Sequence, residues 1–405
     1  MKNKQLTVAL LGFGVVGSGV AQILSENQDC IRRATGCGID LRYILDLRDF
    51  PDSPFADRIV HDIQRILDDP EVDVVVEAMG GSHPAYEFTR AAIDAGKSAV
   101  TSNKEVVANF GTELLSLAAE RGVRYLFEAS VGGGIPVLRP LARDMAANRV
   151  SAIHGILNGT TNYILTRMVT GNVSFEAALA EAQALGYAER DPSADVDGLD
   201  AARKIVILTA MATGLRVDPD AISTEGIRHI TEADVALAAE LNCSIKLIGH
   251  MARVDDRLSV WVAPCFVSRQ NPLANIDDVF NGVLIDTDML GQTLFYGRGA
   301  GKLPTAGAVV SDLVDIATHP FDAATALCWT DANTAQILPA DEEKRSVCLI
   351  YERDLAAVPT AGAAQVITTD THTAVLWPAM TANEIDAKIQ SAAARPVAQY
   401  PVLGL

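Results

Sequence analysis

Leu6 to Leu11 is an unbroken apolar run, and Gly12-Phe13-Gly14-Val15-Val16-Gly17 follows it at once. A strand, a G-x-G-x-x-G turn and a helix in that order leave a chain few folds to choose from. Gly12 permits a tight turn, Gly14 lets backbone approach a pyrophosphate, and Gly17 allows close packing of helix on sheet. The helix, expected over residues 18–25, offers unpaired N–H groups and a positive dipole end to phosphates.

The rest of the first domain follows strand by strand. A second strand over residues 40–46 leads into Leu47-Arg48-Asp49. Asp46 suits a ribose 2′-hydroxyl and Arg48 suits a 2′-phosphate, so NAD and NADP both stay open, with a lean to NADP through Arg48. Residues 72–77 form a nearly continuous valine run of the kind buried on both faces of a parallel sheet. It opens into Ala78-Met79-Gly80-Gly81, where glycines let a nicotinamide or ribose lie against the backbone. A further strand over residues 98–101 ends in Ser102-Asn103-Lys104. A lysine at the carboxyl edge of a parallel strand faces the ligand crevice, unless it is a solvated loop residue. Glu128 to Pro136 carries three glycines beside a carboxylate. Such a loop ligates a hard cation through oxygen or simply turns the chain between domains, and residue chemistry alone favours the turn.

Composition narrows the function. The chain of 405 residues carries a net charge of −18, which argues against nonspecific nucleic-acid binding. No apolar run approaches the roughly 18–20 residues of a membrane span, and the amino terminus runs into the first strand without a signal-like segment. The six cysteines have no C-x-x-C spacing, so reduced thiols in a cytoplasmic protein are expected. The seven histidines show no metal or triad spacing and are assigned no catalytic part.

Two segments of the middle region stand out. Gly155-Ile156-Leu157-Asn158-Gly159-Thr160-Thr161-Asn162 reads as a strand end meeting a helix start, where Asn158, Thr160 and Thr161 either cap the helix or bind a small polar substrate. Gly198-Leu199-Asp200-Ala201-Ala202-Arg203-Lys204, preceded by Gly186-Tyr187-Ala188-Glu189, places Asp200 and Lys204 on one face of a helix that continues into an apolar run. An ion pair of this spacing is usually only a stabilising contact; at a buried helix end it holds an amine for proton transfer. A last glycine loop, Gly297-Arg298-Gly299-Ala300-Gly301, precedes a helix and suggests that the chain returns to complete the cofactor domain.

Together the glycine turn, the Asn158 segment, the Gly186–Lys204 segment and Tyr296-Gly297-Arg298-Gly299-Ala300-Gly301 resemble the homoserine dehydrogenases, over roughly residues 5–320, in their monofunctional form. The resemblance implies a Rossmann-type parallel-sheet dinucleotide domain (1–135 and 297–320) and an α+β substrate and dimerisation domain (136–296). It implies reversible, NAD(P)-dependent reduction of L-aspartate 4-semialdehyde to L-homoserine by a homodimer or homotetramer. Lys204 would then be the proton donor, Lys104 a second catalytic lysine, and Glu189, Asp200 and Thr160 the substrate contacts. Cofactor contacts are expected from Gly12, Phe13, Gly14, Val15, Val16, Gly17, Arg48, Ser102, Lys104, Gly186, Glu189 and Gly301. The loop at Glu128, Val131, Gly133 and Ile135 matches a monovalent cation site, usually sodium, which overrides the turn reading. An ammonium donor suits the charge that builds on the aldehyde oxygen, and carboxylates beside Lys204 make homoserine oxidation faster at alkaline pH.

The last eighty residues depart from that pattern. Strands are expected over residues 346–351, 365–369, 372–377 and 397–403, with a helix over 382–393, leaving only the short Pro- and Ala-bearing stretch 355–364 for a first helix. This reads as a shortened, degenerate ACT-like module over 340–405, with little inhibition by threonine. Two other functions fit the residues less well. An acyl-phosphate-reducing semialdehyde dehydrogenase needs a nucleophilic cysteine, and none is read in a glycine-rich active-site loop. A nucleotide sensor without activity has no use for Lys104, Glu189, Asp200 and Lys204 together.

Overall fold

In a computed structural model, which describes residues 5–353, 358–391 and 394–404, the chain forms two compact units. The first comprises Met1–Ala146, Ala210–Asp218 and Arg298–Asp331; the second comprises Ala147–Thr209, Pro219–Gly297 and Ala332–Leu405.

The first unit is built on six parallel strands, β1 (Leu6–Leu11), β2 (Ile39–Leu45), β3 (Ile59–Val60), β4 (Val74–Glu77), β5 (Ser98–Thr101) and β6 (Tyr125–Leu126), in the order β3-β2-β1-β4-β5-β6. Between them run α1 (Val15–Glu26), α2 (Gln28–Thr35), α3 (Gln64–Leu67), α4 (Ala85–Asp94) and α5 (Lys104–Arg121), with α6 (Leu138–Ala142) after β6. Alternation along β1 explains the layering. Val8 and Leu10 pack with Val20 and Leu24 of α1, while Ala9 and Leu11 pack with Ile66 and Ala92 on the opposite face. Each such Val or Leu contributes about 1.5–3 kcal/mol by leaving water, so both faces of the sheet must be covered. The first helix begins at Val15, three residues before the expected start, because Gly14 itself is the N-cap. Asn103 caps α5, and Gly122 ends it in the left-handed conformation at φ +69°.

In the second unit, β7 (Val150–Ile156) leads into α7 (Gly159–Gly171), α8 (Phe175–Ala184), α9 (Ser193–Val196) and α10 (Leu199–Thr213). A short strand β8 (Leu215–Arg216) belongs to the first unit. The second unit resumes with β9 (Ser223–Thr224), α11 (Glu232–Glu240), β10 (Cys243–Val254), β11 (Arg257–Ser268), β12 (Phe280–Thr287) and β13 (Gly291–Arg298). The antiparallel β10–β11 pair keeps unbroken register from Cys243–Ser268 to Val254–Arg257.

The chain then gives the first unit α12 (Lys302–Thr318) and β14 (Thr330–Asp331), which pairs with β8. Contact between α1 and α12 is close: a Cβ at Gly19 would lie 2.9 Å from the Ala306 Cβ. The remaining elements, β15 (Arg345–Glu352), β16 (Gln365–Thr368), β17 (His372–Met380), α13 (Ala382–Ser391) and β18 (Ala398–Leu403), extend the second unit's sheet. Its order is β13-β12-β7-β10-β11-β18-β15-β17-β16. Of the stretch 355–364, the only room for a first helix of an ACT-like module, residues 355–357 lie outside the described residues and 358–364 form no helix. Glu343, just before β15, is buried and accepts hydrogen bonds from Ser259 and Trp261 while sharing one with His250. Burial works against its charge, yet these partners hold the carboxyl down at about 2. The six cysteines are free thiols, and no helix among the described residues is long and apolar enough to cross a membrane.

Candidate active site

The glycine turn lies at the carboxyl ends of β1 and β4, the switch point at which dinucleotides bind in open parallel sheets. Gly12 has φ +90°, a conformation that costs most side chains energy. A Cβ at Gly17 would come within 2.0 Å of the Gly12 carbonyl oxygen, so only glycine lets α1 rise directly from the turn. Nothing lies within 4 Å of a Cβ at Gly14, which leaves that backbone open to a pyrophosphate at the helix N-terminus. The residues present fit a dinucleotide.

Asp46 and Arg48, alternatives by sequence, are joined. The Asp46 carboxylate accepts from the Phe13 N–H at 2.9 Å and from the Arg48 N–H, Nε and Nη2, each at 3.0 Å. The Arg48 side chain, whose hydrogen bonds hold the Asp46 carboxyl far below the usual carboxylate range, also lies 5.0 Å over the Phe50 ring. Phe13 therefore reaches Asp46 through its backbone, and its ring packs edge-on against Phe50.

Lys104 is the first residue of α5 and half-buried, next to half-buried Ser102. Asn103 fixes that helix start. Its Oδ1 accepts from the Glu105 and Val106 N–H groups, and its Nδ2 donates to the Gly81 carbonyl at 2.7 Å.

The loop of Glu128, Val131, Gly133 and Ile135 departs from expectation in one respect. The Glu128 carboxylate accepts from the N–H groups of Val137, Leu138 and Arg139 at 2.7, 2.8 and 2.7 Å. It caps α6 and is not turned to a cation; what the loop can offer one is backbone carbonyl oxygen. No group of three His, Cys, Asp or Glu side chains suited to a metal occurs among the described residues. The same loop is stitched to the last glycine loop, for the Gly134 N–H donates to the Arg298 carbonyl at 3.1 Å and a Cβ at Gly133 would lie 2.3 Å from the Gly299 oxygen. Gly301, at φ +120°, is the N-cap of α12.

The second unit gathers the charged groups. Asp200 and Lys204 lie one turn apart on α10, and Lys204 Nζ donates to Asp200 Oδ2 and to the Leu157 carbonyl, both at 2.7 Å. Leu157 and Asn158 form the link between β7 and α7, so sheet and helix together fix both partners. Asn158 caps α7 through Oδ1, which accepts from the Thr161 N–H at 2.8 Å. Its Nδ2 donates to Asp195 Oδ1 at 2.6 Å and to Asp200 Oδ2 at 2.9 Å. Thr160 donates to the Tyr187 carbonyl at 2.7 Å, which ties the Gly186–Glu189 loop to α7. Glu189 itself is exposed, and its backbone carbonyl accepts from Gln183. Gly186, at φ +75°, turns the chain after α8.

Asp195 is the residue that sequence reasoning missed. Burial raises its carboxyl above the usual range and the Asp200 charge adds to that, while the Asn158 amide that donates to it works the other way. The result is two carboxylates held by one asparagine, one of them paired with Lys204, at the positive end of α7. Such a cluster can bind a substrate ammonium and pass a proton to a neighbouring oxygen.

Comparisons with known proteins decide the family. Residues 12–128 match "Homoserine dehydrogenase, NAD binding domain", and residues 136–314 match "Homoserine dehydrogenase". The homoserine dehydrogenase of Synechocystis sp. is 44% identical over 316 residues, which is 76% of this chain and 72% of that protein. The chain belongs to the homoserine dehydrogenase family. It is accordingly an NAD(P)-dependent oxidoreductase. The crystal structure of a homoserine dehydrogenase from Thiobacillus denitrificans matches with a TM-score of 0.89 and 33% identity, covering 98% of each chain. A hyperthermophilic archaeal homoserine dehydrogenase in complex with NADPH matches at 0.67 and 26% identity, over 79% of this chain and 100% of that one.

Proposed function

We propose that Lys204 is the acid–base residue in the interconversion of L-aspartate 4-semialdehyde and L-homoserine. The observation that carries this is the pair of 2.7 Å hydrogen bonds that fix Lys204 Nζ between Asp200 and the Leu157 carbonyl in a buried setting. A bound NAD or NADP supplies the hydride chemistry. In reduction, Lys204 donates its proton to the aldehyde oxygen as negative charge develops there. In oxidation it must first lose that proton, so the rate rises toward alkaline pH.

Asp195 and Asp200 hold the substrate ammonium, Thr160 and Glu189 complete its surroundings, and Lys104 assists at the carboxyl edge of β5. The glycine turn with Val15 and Val16, Ser102, Lys104, Gly186, Glu189 and Gly301 make the cofactor contacts. Arg48, once released from Asp46, pairs with the 2′-phosphate of NADP. A monovalent cation, sodium by preference, takes the carbonyl oxygens of Glu128, Val131, Gly133 and Ile135. We read residues 1–135 with 297–320 as the cofactor domain and 136–296 as the substrate and dimerisation domain of a cytoplasmic homo-oligomer. Residues 340–405 are a degenerate ACT-like module: β18-β15-β17-β16 is an all-antiparallel order suited to it.

The test is initial-rate oxidation of L-homoserine with NAD and with NADP, followed by absorbance of the reduced nicotinamide. Turnover that rises from neutral to alkaline pH is expected. A flat profile would count against a lysine in this role.

A further inference from the structure

Glu77 closes β4 directly below the crevice of the first unit. It stands in register with Leu11 of β1 on one side and Thr101 of β5 on the other. The strand order reverses between β1 and β4, and ligands of such sheets bind outside the carboxyl ends at that point. The next residue, Ala78, forms part of the floor, since its carbonyl oxygen would lie 2.9 Å from a Cβ at Gly12. Glu77 is 1% exposed. One oxygen accepts from the Met79 N–H at 2.7 Å and the other from the Thr101 hydroxyl at 2.5 Å. Thr101 Oγ1 accepts in turn from the Asn103 N–H at 2.8 Å.

Two neutral acceptors would serve Met79 and Thr101 as well as a carboxylate does. What a carboxylate adds is charge, at a cost in desolvation that hydrogen bonding alone does not justify. The groups facing it are the Thr101 hydroxyl and Asn103 side chain beside β5 and the buried Tyr125 phenol of β6, with aliphatic Leu11 on β1. Lys104 brings a positive charge to the same edge at the start of α5.

We propose that Glu77 sets the relative affinity of the protein for the two redox states of its cofactor. A fixed carboxylate under the crevice attracts the cationic oxidised nicotinamide and does nothing comparable for the neutral reduced ring. The inference rests on the reading of this crevice as the cofactor site. Burial pushes the Glu77 carboxyl up to about 7, which makes the bias adjustable. It is present where the group is ionised, above that value, and is lost as pH falls through it. Tyr125, pushed well above its ordinary range by burial, stays neutral throughout.

The experiment measures dissociation constants for NAD+ and NADH by fluorescence titration, on the wild-type protein and on Glu77→Gln, at pH 6 and pH 8.5. The amide keeps the shape and an acceptor for Met79. At pH 8.5 the variant is expected to bind NAD+ about tenfold more weakly while its NADH affinity stays within about twofold of wild type. In the wild-type protein the preference for NAD+ should shrink by a similar factor at pH 6, and in the variant it should not change with pH. Equal weakening of both forms by Glu77→Gln would make the residue a structural acceptor only and overturn the proposal. An invariant wild-type ratio between the two pH values would overturn it as well, and that series needs no variant to fold. The same titrations are run with NADP+ and NADPH, and failure of the wild-type protein to bind any of the four would instead refute the crevice as the cofactor site, and the proposal with it.

Discussion

The Asp46–Arg48 pair of the first unit and the Asp200–Lys204 pair of the second join a carboxylate to a cation over similar distances, 3.0 and 2.7 Å. Their cations sit in opposite surroundings, although the Asp46 carboxylate, 9% exposed, is itself largely buried. The Arg48 side chain is 64% exposed, whereas those of Lys204 and Asp200 are 10% and 4% exposed. An exposed guanidinium exchanges one anion for another at little cost, because water screens both states. A buried ammonium cannot leave its carboxylate without stranding a charge. The first arrangement suits recognition of a variable phosphate; the second suits a proton donor whose position must not change between turnovers.

Several substitutions would break that contrast if it is wrong. Stability should separate the pairs most. Lys204→Met leaves the Asp200 carboxylate buried without its cation and should cost about 3–5 kcal/mol in chemical denaturation. Arg48→Met should cost far less, since Asp46 keeps the Phe13 N–H and the backbone N–H of residue 48. Equal losses in the two variants would erase the distinction. Next in size is Asp200→Ala, which removes one anchor of Lys204 and, in our reading, one of the substrate ammonium. A fall of about 10²-fold in kcat/KM for L-homoserine is expected, seen by initial rates at fixed cofactor. The smallest effect belongs to Arg48→Met in catalysis. It should lower the preference for NADP over NAD by about tenfold, read from kcat/KM with each cofactor, and uncover Asp46 for a ribose hydroxyl. An unchanged ratio would remove Arg48 from recognition.

The legibility of the two regions in the sequence differs for a physical reason. The glycine turn could be read because its constraints are local: a Cβ at Gly17 collides with a carbonyl only five residues earlier. Asp200 and Lys204 could be read because helix periodicity alone sets them on one face. Asp195 could not. Its partner Asn158 is 37 residues away, and only the path through α9 brings the two together. The direction of the Glu128 carboxylate could not be read for the same reason. An acidic residue beside glycines suggests a cation ligand, but the turn that follows delivers three N–H groups to it from Val137, Leu138 and Arg139. Asp46 and Arg48 were legible as candidates but not as partners, because the sequence shows residue types and not the direction of a side chain. The tail's strands were visible as short apolar runs, although the family-model match ends at residue 314 while likeness of fold to the Thiobacillus denitrificans enzyme spans 98% of the chain.

The most direct test of the account is single-turnover reduction of L-aspartate 4-semialdehyde by Lys204→Met with bound NADPH, at saturating substrate, followed by loss of reduced-nicotinamide absorbance. With NADPH affinity retained, a rate about 10³-fold below wild type is predicted, since the developing alkoxide loses its proton donor. A rate within about tenfold of wild type would contradict the assignment of Lys204 and with it the functional contrast between the two pairs.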